Sequence, residues 1–498
     1  MTEESETSGA DGRPGEGFAG ILAERREKLD RLREAGVEPF PHAFPAREEI
    51  AGVIAEHDGL EPGVETDSVH RVAGRITARR GHGKAAFIDV RDATGQIQIH
   101  AKADALGDAY SLLDDLDLGD FLGVEGRAIV TRRGQLSIEA SSWQLLAKAL
   151  RPPPDKFHGL EDTETRYRRR ELDLVANEET RETFRVRART ISEVRRWLDD
   201  RGFFEVETPV LQPLYGGALA RPFVTHHNAL DRQLFLRIAT ELYLKRCVVG
   251  GIDKVYELGK DFRNEGISMK HNPEFTMLEW YEAYADYNDT AAELEELVST
   301  VAEKVLGRAE IERDGRTISL AAPWKRITLR DAILEHSGID IDQLTDRDAL
   351  SDAIGNEDDT AGWGKLVDTV FSKRVEPNLV EPTFILDYPE ELSPFAKGHR
   401  EKPGKVERWE AFVGGVEIAN SFSELNDPDE QRRRFEQQAA EIDRGDDEAQ
   451  PFDESFIEAL EQGMPPTGGV GLGIDRLVMM LTNSSSLREV VLFPAMRD

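Results

Sequence analysis

Between Arg263 and Trp280 the chain reads RNEGISMKHNPEFTMLEW, a stretch that packing alone would not select. It gathers Arg263, Lys270, Glu265, Glu274, His271, an Asn272-Pro273 turn, Phe275 and Trp280 into one hairpin-sized segment, with a hydrophobic strand pattern on each side. What ligand or chemistry would need such a loop is the question that the rest of the chain must bound. A second segment, RWEAFVGGVEIANSF, sets Glu410 and Glu417 around a Gly-Gly step. Either glutamate alone reads as a surface residue. The pair, flanked by apolar residues, does not. A third, GLGIDR, has small glycines that let backbone approach a ligand closely and ends in Arg476, but as a free-standing pattern it is weak.

The elements that must carry these residues follow from periodicity. From Val69 the apolar period is two: HRVAGRITARR, AAFIDVRDA, GQIQIHAK, FLGVEGRAIV and QLSIEASSWQLL read as strands between Gly-containing turns, with one helix-like stretch, ADALGDAYSLLDDL, after the third. Five strands with a helix after the third predict an OB-type barrel. In such barrels Phe87 and Gln98 fall in the strands whose outer face binds oligonucleotides, and Arg75, Arg79, Arg80 and Lys84 add positive charge there. Phe87 taken alone reads equally well as a core aromatic. Before the barrel, residues 1–18 are small, acidic and Gly-rich and are expected to be a disordered tail. A helix with Ile21, Leu22, Leu29 and Leu32 on one face then runs to Gly36. After the barrel, three consecutive prolines and the run from Arg166 to Arg170 predict a stiff connector and a basic patch, with a domain boundary near Arg151. The expected organisation is a tail over 1–18, a helix and barrel over 19–150, and a larger domain over 151–498. That domain opens with the amphipathic helix pattern TRETFRVRARTISEVRRWLDDRG and a strand, FFEVETPVLQP.

Composition narrows the class. The chain of 498 residues carries 96 acidic against 63 basic residues, a net charge of −33. The acids are spread over the whole length, so the pattern fits a solvated acidic surface adapted to a salty cytoplasm better than a docking block for a polycation. No run of about 18 apolar residues exists and the N-terminus lacks an apolar signal core, so the expectation is a cytoplasmic protein outside membranes. The single cysteine, Cys247, has no partner for a disulfide and no Cys or His cluster near it, and it reads as a small buried side chain.

In this order, EVETPVL, the Arg263 segment and the C-terminal GVGLGIDRLVMML resemble the three motifs of class II aminoacyl-tRNA synthetases. KALRPPPDKFHGL, LARPFVTHHNAL, ELYLKR, FRNEGISMKHNPEFTMLEWYEAYADY and SFSELNDP are similar to signatures of the lysine-type enzymes of subclass IIb, from about Ile21 to Pro494. The resemblance implies an α+β fold: an OB-fold anticodon-binding barrel followed by an antiparallel sheet flanked by helices. It implies a homodimer with Pro209 and the preceding helix at the interface, and the partners lysine, ATP and tRNA(Lys).

The resemblance also assigns roles. Arg263 bridges the substrate carboxylate and the α-phosphate, a task that suits a fixed guanidinium fork. Glu265, His271 and Asn272 contact ATP, with Phe275 beneath the adenine, Arg476 above it and Gly471 at the strand edge. Glu410 and Glu417 hold Mg²⁺ on the phosphates, as oxygen donors suit a hard ion. A lysine ammonium is costly to bury unless carboxylates receive it. Glu241 and Gly217 take the α-amino group; Glu424, Tyr281 and Glu279 surround the ε-ammonium; Phe422 packs the methylene stem and Asn420 helps hold the carboxylate. Arg75, Arg79, Phe87 and Gln98 read the anticodon. Two departures from the usual pattern, Tyr215 and Thr240, lie beside the lysine pocket. Other readings stay open: a ligase that modifies a protein, whose relatives lack the barrel; a non-catalytic nucleic-acid-binding protein; and an aspartyl or asparaginyl enzyme, against which the extra pocket glutamates argue.

Overall fold

Strand alternation builds two separate sheets in the computed structural model, which describes residues 14–154, 160–355, 362–443 and 449–497. The chain divides into two units, one ending at Leu160 and the other running from Glu161. The division falls later than the expected Arg151. Asp120 explains part of this, since its carboxylate accepts from the Ala149 backbone N–H at 2.7 Å and from Lys148 Nζ at 2.8 Å, tying the segment after the last strand back to the barrel.

In the first unit the strands Glu65–His82, Ala85–Arg91, Gln96–Lys102, Phe121–Val130 and Leu136–Ala147 close into a barrel, with the third and fifth pairing in parallel to complete it. Val72, Ile76, Ile88, Val90, Ile97, Ile99, Val124 and Ile138 point inward and are buried together. The intervening positions face out, and they include Phe87 and Gln98. The helix-like stretch after the third strand divides into a short α-helix, Ala103–Leu106, and a 3-10 helix, Gly107–Asp115, with Gly107 at the change of winding. The N-terminal helix runs from Pro14 to Glu34, so residues 14–18 of the expected disordered tail are helical. A proline at the first helical position loses no hydrogen bond and has the right φ, which composition alone does not reveal. Residues 1–13 of that tail, and 155–159 within the KALRPPPDKFHGL signature, lie outside the described residues.

The second unit is built on an eight-stranded sheet in the order Lys325–Thr328, Thr383–Leu386, Arg408–Val413, Val416–Ser423, Thr467–Gly473, Glu274–Ala283, Lys254–Phe262, Phe204–Glu205. The six central strands are antiparallel and the outermost strand at each edge pairs in parallel. The expected amphipathic helix is present as Glu178–Asp199, burying Val186, Thr190, Val194, Trp197 and Leu198. It joins helices Tyr287–Leu306 and Ile474–Leu481 in one core with Leu278, Trp280, Trp409, Val470 and Leu472 from the sheet. Both sheet tryptophans keep their N–H satisfied, Trp280 by Glu293 at 2.9 Å and Trp409 by the Tyr287 carbonyl at 2.7 Å. Truncating such a side chain costs roughly 3–5 kcal/mol, so this layer fixes which face of each strand points away from the helices.

Two expectations about the start of this unit change. FFEVETPVLQP forms only the short strands Phe204–Glu205 and Leu211–Gln212, because Pro209 removes a ladder donor between them. The run from Arg166 to Arg170 is not a free basic patch. Arg166 and Arg170 pair with Asp173 at 2.9 and 2.6 Å, Arg168 with Glu164 at 2.9 Å and Arg169 with Glu171 at 2.6 Å, and Arg170 is fully buried.

Candidate active site

On the sheet face opposite the helices lies a cavity of about 320 Å³. Strand alternation supplies its floor. Phe275, Met277, Glu279 and Tyr281 of Glu274–Ala283 line it while Leu278 and Trp280 turn into the core. Gly469, Val470, Gly471 and Gly473 line it, with Val470 also buried in the core, while Leu472 turns away. A Cβ on Gly469 would run into the Glu424 carboxylate and the Tyr281 ring, so that position admits only glycine. At Gly471 an added Cβ meets protein only at ordinary contact distance, leaving the space above the strand to a ligand.

The neighbouring hairpin needs a correction to its alternation. Ala411 pairs with Ala419 but Phe412 pairs with Glu417, so Ile418 is an extra residue in the second strand. This bulge lets Glu417 and Asn420, an odd number of residues apart, point to the same side. Glu410, directly opposite Asn420, shares it. Glu410, Glu417, Asn420, Phe422 and Glu424 therefore all line the cavity.

The remaining candidates come from the loop and from two other elements. Arg263, Glu265, His271 and Asn272 line one end of the cavity, Arg476 joins them from the Ile474–Leu481 helix, and Gly217 and Glu241 line the other end. The Arg263 guanidinium lies 5.0 Å above the centre of the Phe275 ring and donates through Nε to the Ile238 carbonyl at 3.3 Å. No ion pair engages it among the described residues. His271 accepts or donates at Nδ1 with Ser268 Oγ at 2.9 Å, and burial, with Arg476 nearby, holds its imidazole below the usual range. Asn272 braces the loop through both ends of its amide, donating to the Glu274 carbonyl at 2.5 Å and accepting from Ala495 N–H at 3.2 Å. Gly217, at φ +89°, brings its Cα so near helix Glu241–Val249 that a Cβ would stand 3.0 Å from that of Glu241.

Acids concentrate at the closed end. Glu241, Glu279 and Glu424 are all buried. Burial pushes Glu279 up to about 8, helped by the negative charges of Asp261 and Glu241. Burial likewise pushes Glu424 up to about 8 against the pull of Lys245. Glu279 accepts from Tyr281 Oη at 3.1 Å and from the Thr240 backbone N–H at 3.3 Å, a donor that a proline at 240 would lack. Glu424 Oε1 has no hydrogen-bond partner among the described residues. A buried carboxylate oxygen left without a donor is costly, and a ligand cation is the natural remedy. The other departure, Tyr215, packs its ring against Phe235 at 5.1 Å.

At the open end Glu410 and Glu417 form the second acidic group. Glu410 accepts from Tyr388 Oη at 2.7 Å and pairs with Arg408 at 2.5 Å; Glu417 pairs with Arg476 at 2.9 Å. Burial raises Glu410, with Arg408 opposing and Glu417 adding to the rise. Two carboxylates on one face, beside a cavity that also holds unpaired arginine, suit a Mg²⁺ ion shared with a phosphate ligand.

The sequence analysis missed three side chains here. Lys245 pairs with both Glu241 and Glu424. Arg408 holds Asn420 Oδ1 at 3.0 Å, the Leu392 carbonyl at 2.7 Å and Ser393 Oγ at 2.8 Å, ordering one wall. Asp475 accepts from Thr276 N–H at 2.8 Å and pairs with Arg187 at 2.6 Å, locking the Arg476 helix to the floor strand. Spacing signalled the first two: Lys245 follows Glu241 by one helical turn, and Arg408 stands two residues before Glu410 on the same strand face.

On the barrel, Phe87 and His100 stack on the outer face with centroids 4.6 Å apart and planes at 10°. Gln98 accepts from Ser137 Oγ at 2.9 Å. Arg75 is turned to the barrel itself, donating to the Gly119 carbonyl at 3.0 Å and lying 4.3 Å over Phe121; Arg79 pairs with Asp114. Cys247 is half-buried and burial raises its thiol, which leaves it a poor nucleophile.

Residues 162–497 match the family of tRNA synthetases class II (D, K and N), and residues 70–146 match the OB-fold nucleic acid binding domain. The chain belongs to the class II tRNA synthetases. Within that family it is 51% identical to the lysine–tRNA ligase of Carboxydothermus hydrogenoformans over 96% of this chain and 98% of that one. It is 52% identical to the lysine–tRNA ligase of Moorella thermoacetica over the same shares, and 49% identical to that of Halalkalibacterium halodurans over 97% of each. The class II synthetase segment covers the sheet, the hairpin with its bulge and the Arg476 helix, so the cavity lies wholly within it.

Proposed function

We propose that this class II synthetase activates L-lysine with ATP to lysyl-adenylate and transfers the lysyl group to the 3′ end of tRNA(Lys). The observation that carries the reading is the closed acidic end of the cavity, where Glu241, Glu279 and Glu424 are buried and, among the described residues, Glu424 Oε1 has no donor. Aspartate or asparagine would bring only an α-ammonium for Glu241 and leave Glu279 and Glu424 without a cation. Lysine brings two ammonium groups. Glu241 with Gly217 receives the α-ammonium, Glu424 with Glu279 and Tyr281 receives the ε-ammonium, and Phe422 packs the stem between them. Asn420, held by Arg408, steadies the carboxylate beside Arg263.

At the open end Arg263 draws the lysine carboxylate against the α-phosphate, with Phe275 beneath the adenine and Arg476 above it. Glu265, His271 and Asn272 hold the ATP tail near Gly471. Glu410 and Glu417 are the residues that would hold Mg²⁺, which when bound neutralises phosphate charge. Among the described residues no helix is long and apolar enough to cross a membrane. Exposed Phe204, Val210, Leu211 and Val224 around Pro209 support a homodimer formed through this apolar face.

The pH dependence of lysine use tests the pocket. Glu279 and Glu424, both near 8, hold protons below that pH in the free protein, whereas an ammonium ligand binds their ionised forms. Lysine binding must then release protons, so affinity rises with pH up to about 8 and levels off above. The KM for lysine in ATP–pyrophosphate exchange is expected to fall between pH 6 and 8, by up to about tenfold per unit for each proton released, while the KM for ATP changes little. A lysine KM flat across that range contradicts the assignment.

The acid excess suggests a second property, adaptation to a high-salt interior. Self-repulsion from a net charge of −33 weakens as the screening length falls from about 10 Å at 0.1 M to about 3 Å at 1 M. The melting temperature is therefore expected to rise between these KCl concentrations. A flat or falling curve makes the acidity incidental.

A further inference from the structure

Lys245 is fully buried, yet it does not line the cavity; it lies behind the cavity wall. One helical turn brings its Nζ 2.6 Å from Glu241 Oε1, and the fold brings the same atom 2.5 Å from Glu424 Oε2. The Phe395 ring lies 5.3 Å from the same ammonium. A lone ammonium in so dry a place is untenable, and so are two adjacent carboxylates with no cation between them. Each needs the other. The two glutamates that Lys245 joins both line the acidic end of the cavity.

We propose that Lys245 is a positioning residue for the amino-acid site: a resident counterion that aims Glu241 and Glu424 before substrate arrives and eases their ionisation as it binds, and so sets the pocket for a diammonium amino acid. This rests on the reading of the site as a lysine pocket. Charge bookkeeping shows the consequence. Glu241, Glu279 and Glu424 are three potential negative charges, and Lys245 cancels one, leaving two for the two ammonium groups of lysine. Without Lys245 the carboxylates would hold their protons more tightly and give them up less readily to a cation. The groups that respond are Glu241 and Glu424 in contact with Lys245, then Glu279, Tyr281 and Asp261, which lie next to them in the same buried cluster. Burial already favours the neutral form of both glutamates, and Lys245 is the first opposing influence on each. Its own ammonium is destabilised by burial but held by Glu241 and Glu424, with a net upward shift.

The test is Lys245→Met in the full-length chain, read by ATP–pyrophosphate exchange and by calorimetric titration of lysine in phosphate and in Tris, whose ionisation enthalpies differ. The expected result is a lysine KM at pH 7 raised about tenfold or more, equivalent to losing one charge-assisted contact. The KM for ATP should stay within about twofold of the unaltered chain. More protons should be released per lysine bound, and the defect should narrow as pH rises to 9, because the carboxylates then ionise unaided. A purely structural lysine would disturb lysine and ATP together and leave the proton count unchanged. An unchanged lysine KM, or a raised KM equal at pH 7 and 9 with unaltered proton release, overturns the proposal. If Lys245→Met does not fold, Lys245→Met/Glu424→Gln removes opposite charges together and is compared with Glu424→Gln. A further rise in lysine KM of about threefold with added proton release through Glu241 supports the proposal, and equality of the two variants in both readouts overturns it. If the unaltered chain gives no lysine-dependent exchange, the lysine-pocket reading itself fails and takes this proposal with it.

Discussion

Arg263→Ala is expected to reduce lysine-dependent ATP–pyrophosphate exchange by at least about 10²–10³-fold in kcat, with only modest changes in either KM. Activation brings a carboxylate against the α-phosphate of ATP, so two anions approach and further charge develops between them. A donor fork that is fixed in place before the reaction stabilises that charge without reorganising. Arg263 has those properties. Its Nε is held by the Ile238 carbonyl, its plane lies over Phe275, and no carboxylate among the described residues claims its remaining nitrogens. The effect should fall on kcat because the contact strengthens as charge develops, whereas a binding contact alone would raise KM. Arg263→Lys should recover little, since a point charge does not reproduce the fork. Exchange within about tenfold of the unaltered chain would contradict this role.

Removing the barrel should separate the two half-reactions. A chain beginning at Glu161 keeps every cavity residue and is expected to form lysyl-adenylate at a near-normal rate, while charging of tRNA falls by orders of magnitude. The outer face of the barrel offers the stacked Phe87 and His100 beside Gln98. Each base stacked on an aromatic contributes about 1–3 kcal/mol, so losing two or three such contacts reaches a factor of about a thousand or more. Phe87→Ala in the full chain should show part of the loss as a raised KM for tRNA with unchanged pyrophosphate exchange. Equal charging with and without the barrel would show that it does not read tRNA.

The alternation of the Glu274–Ala283 strand was legible residue by residue, because period two places Phe275, Met277, Glu279 and Tyr281 on one face whatever the rest of the chain does. The barrel was legible for the same reason, and Phe87, readable as core or surface, proved to face outward once its register beside Ile88 and Val90 was known. Glu410 and Glu417 stood out as a pair, but their common orientation with Asn420 depends on the bulge at Ile418, which no local pattern announces. Lys245 shows the harder limit. Its spacing from Glu241 is visible, but its contact with Glu424, far along the chain, exists only through the fold. The run from Arg166 to Arg170 misled in the opposite direction: it suggested a basic patch, yet acids within the same short segment absorb it. Residues 14–18 misled because small acidic composition argued for disorder while Pro14 was compatible with starting a helix.

The most direct test of the central claim is ATP–pyrophosphate exchange by the purified full-length chain with each of the twenty amino acids in turn. A pocket with three buried glutamates and one internal lysine predicts exchange that depends on L-lysine and stays near background with aspartate, asparagine and the uncharged amino acids. Exchange driven by aspartate or asparagine, or none with any amino acid, would contradict it.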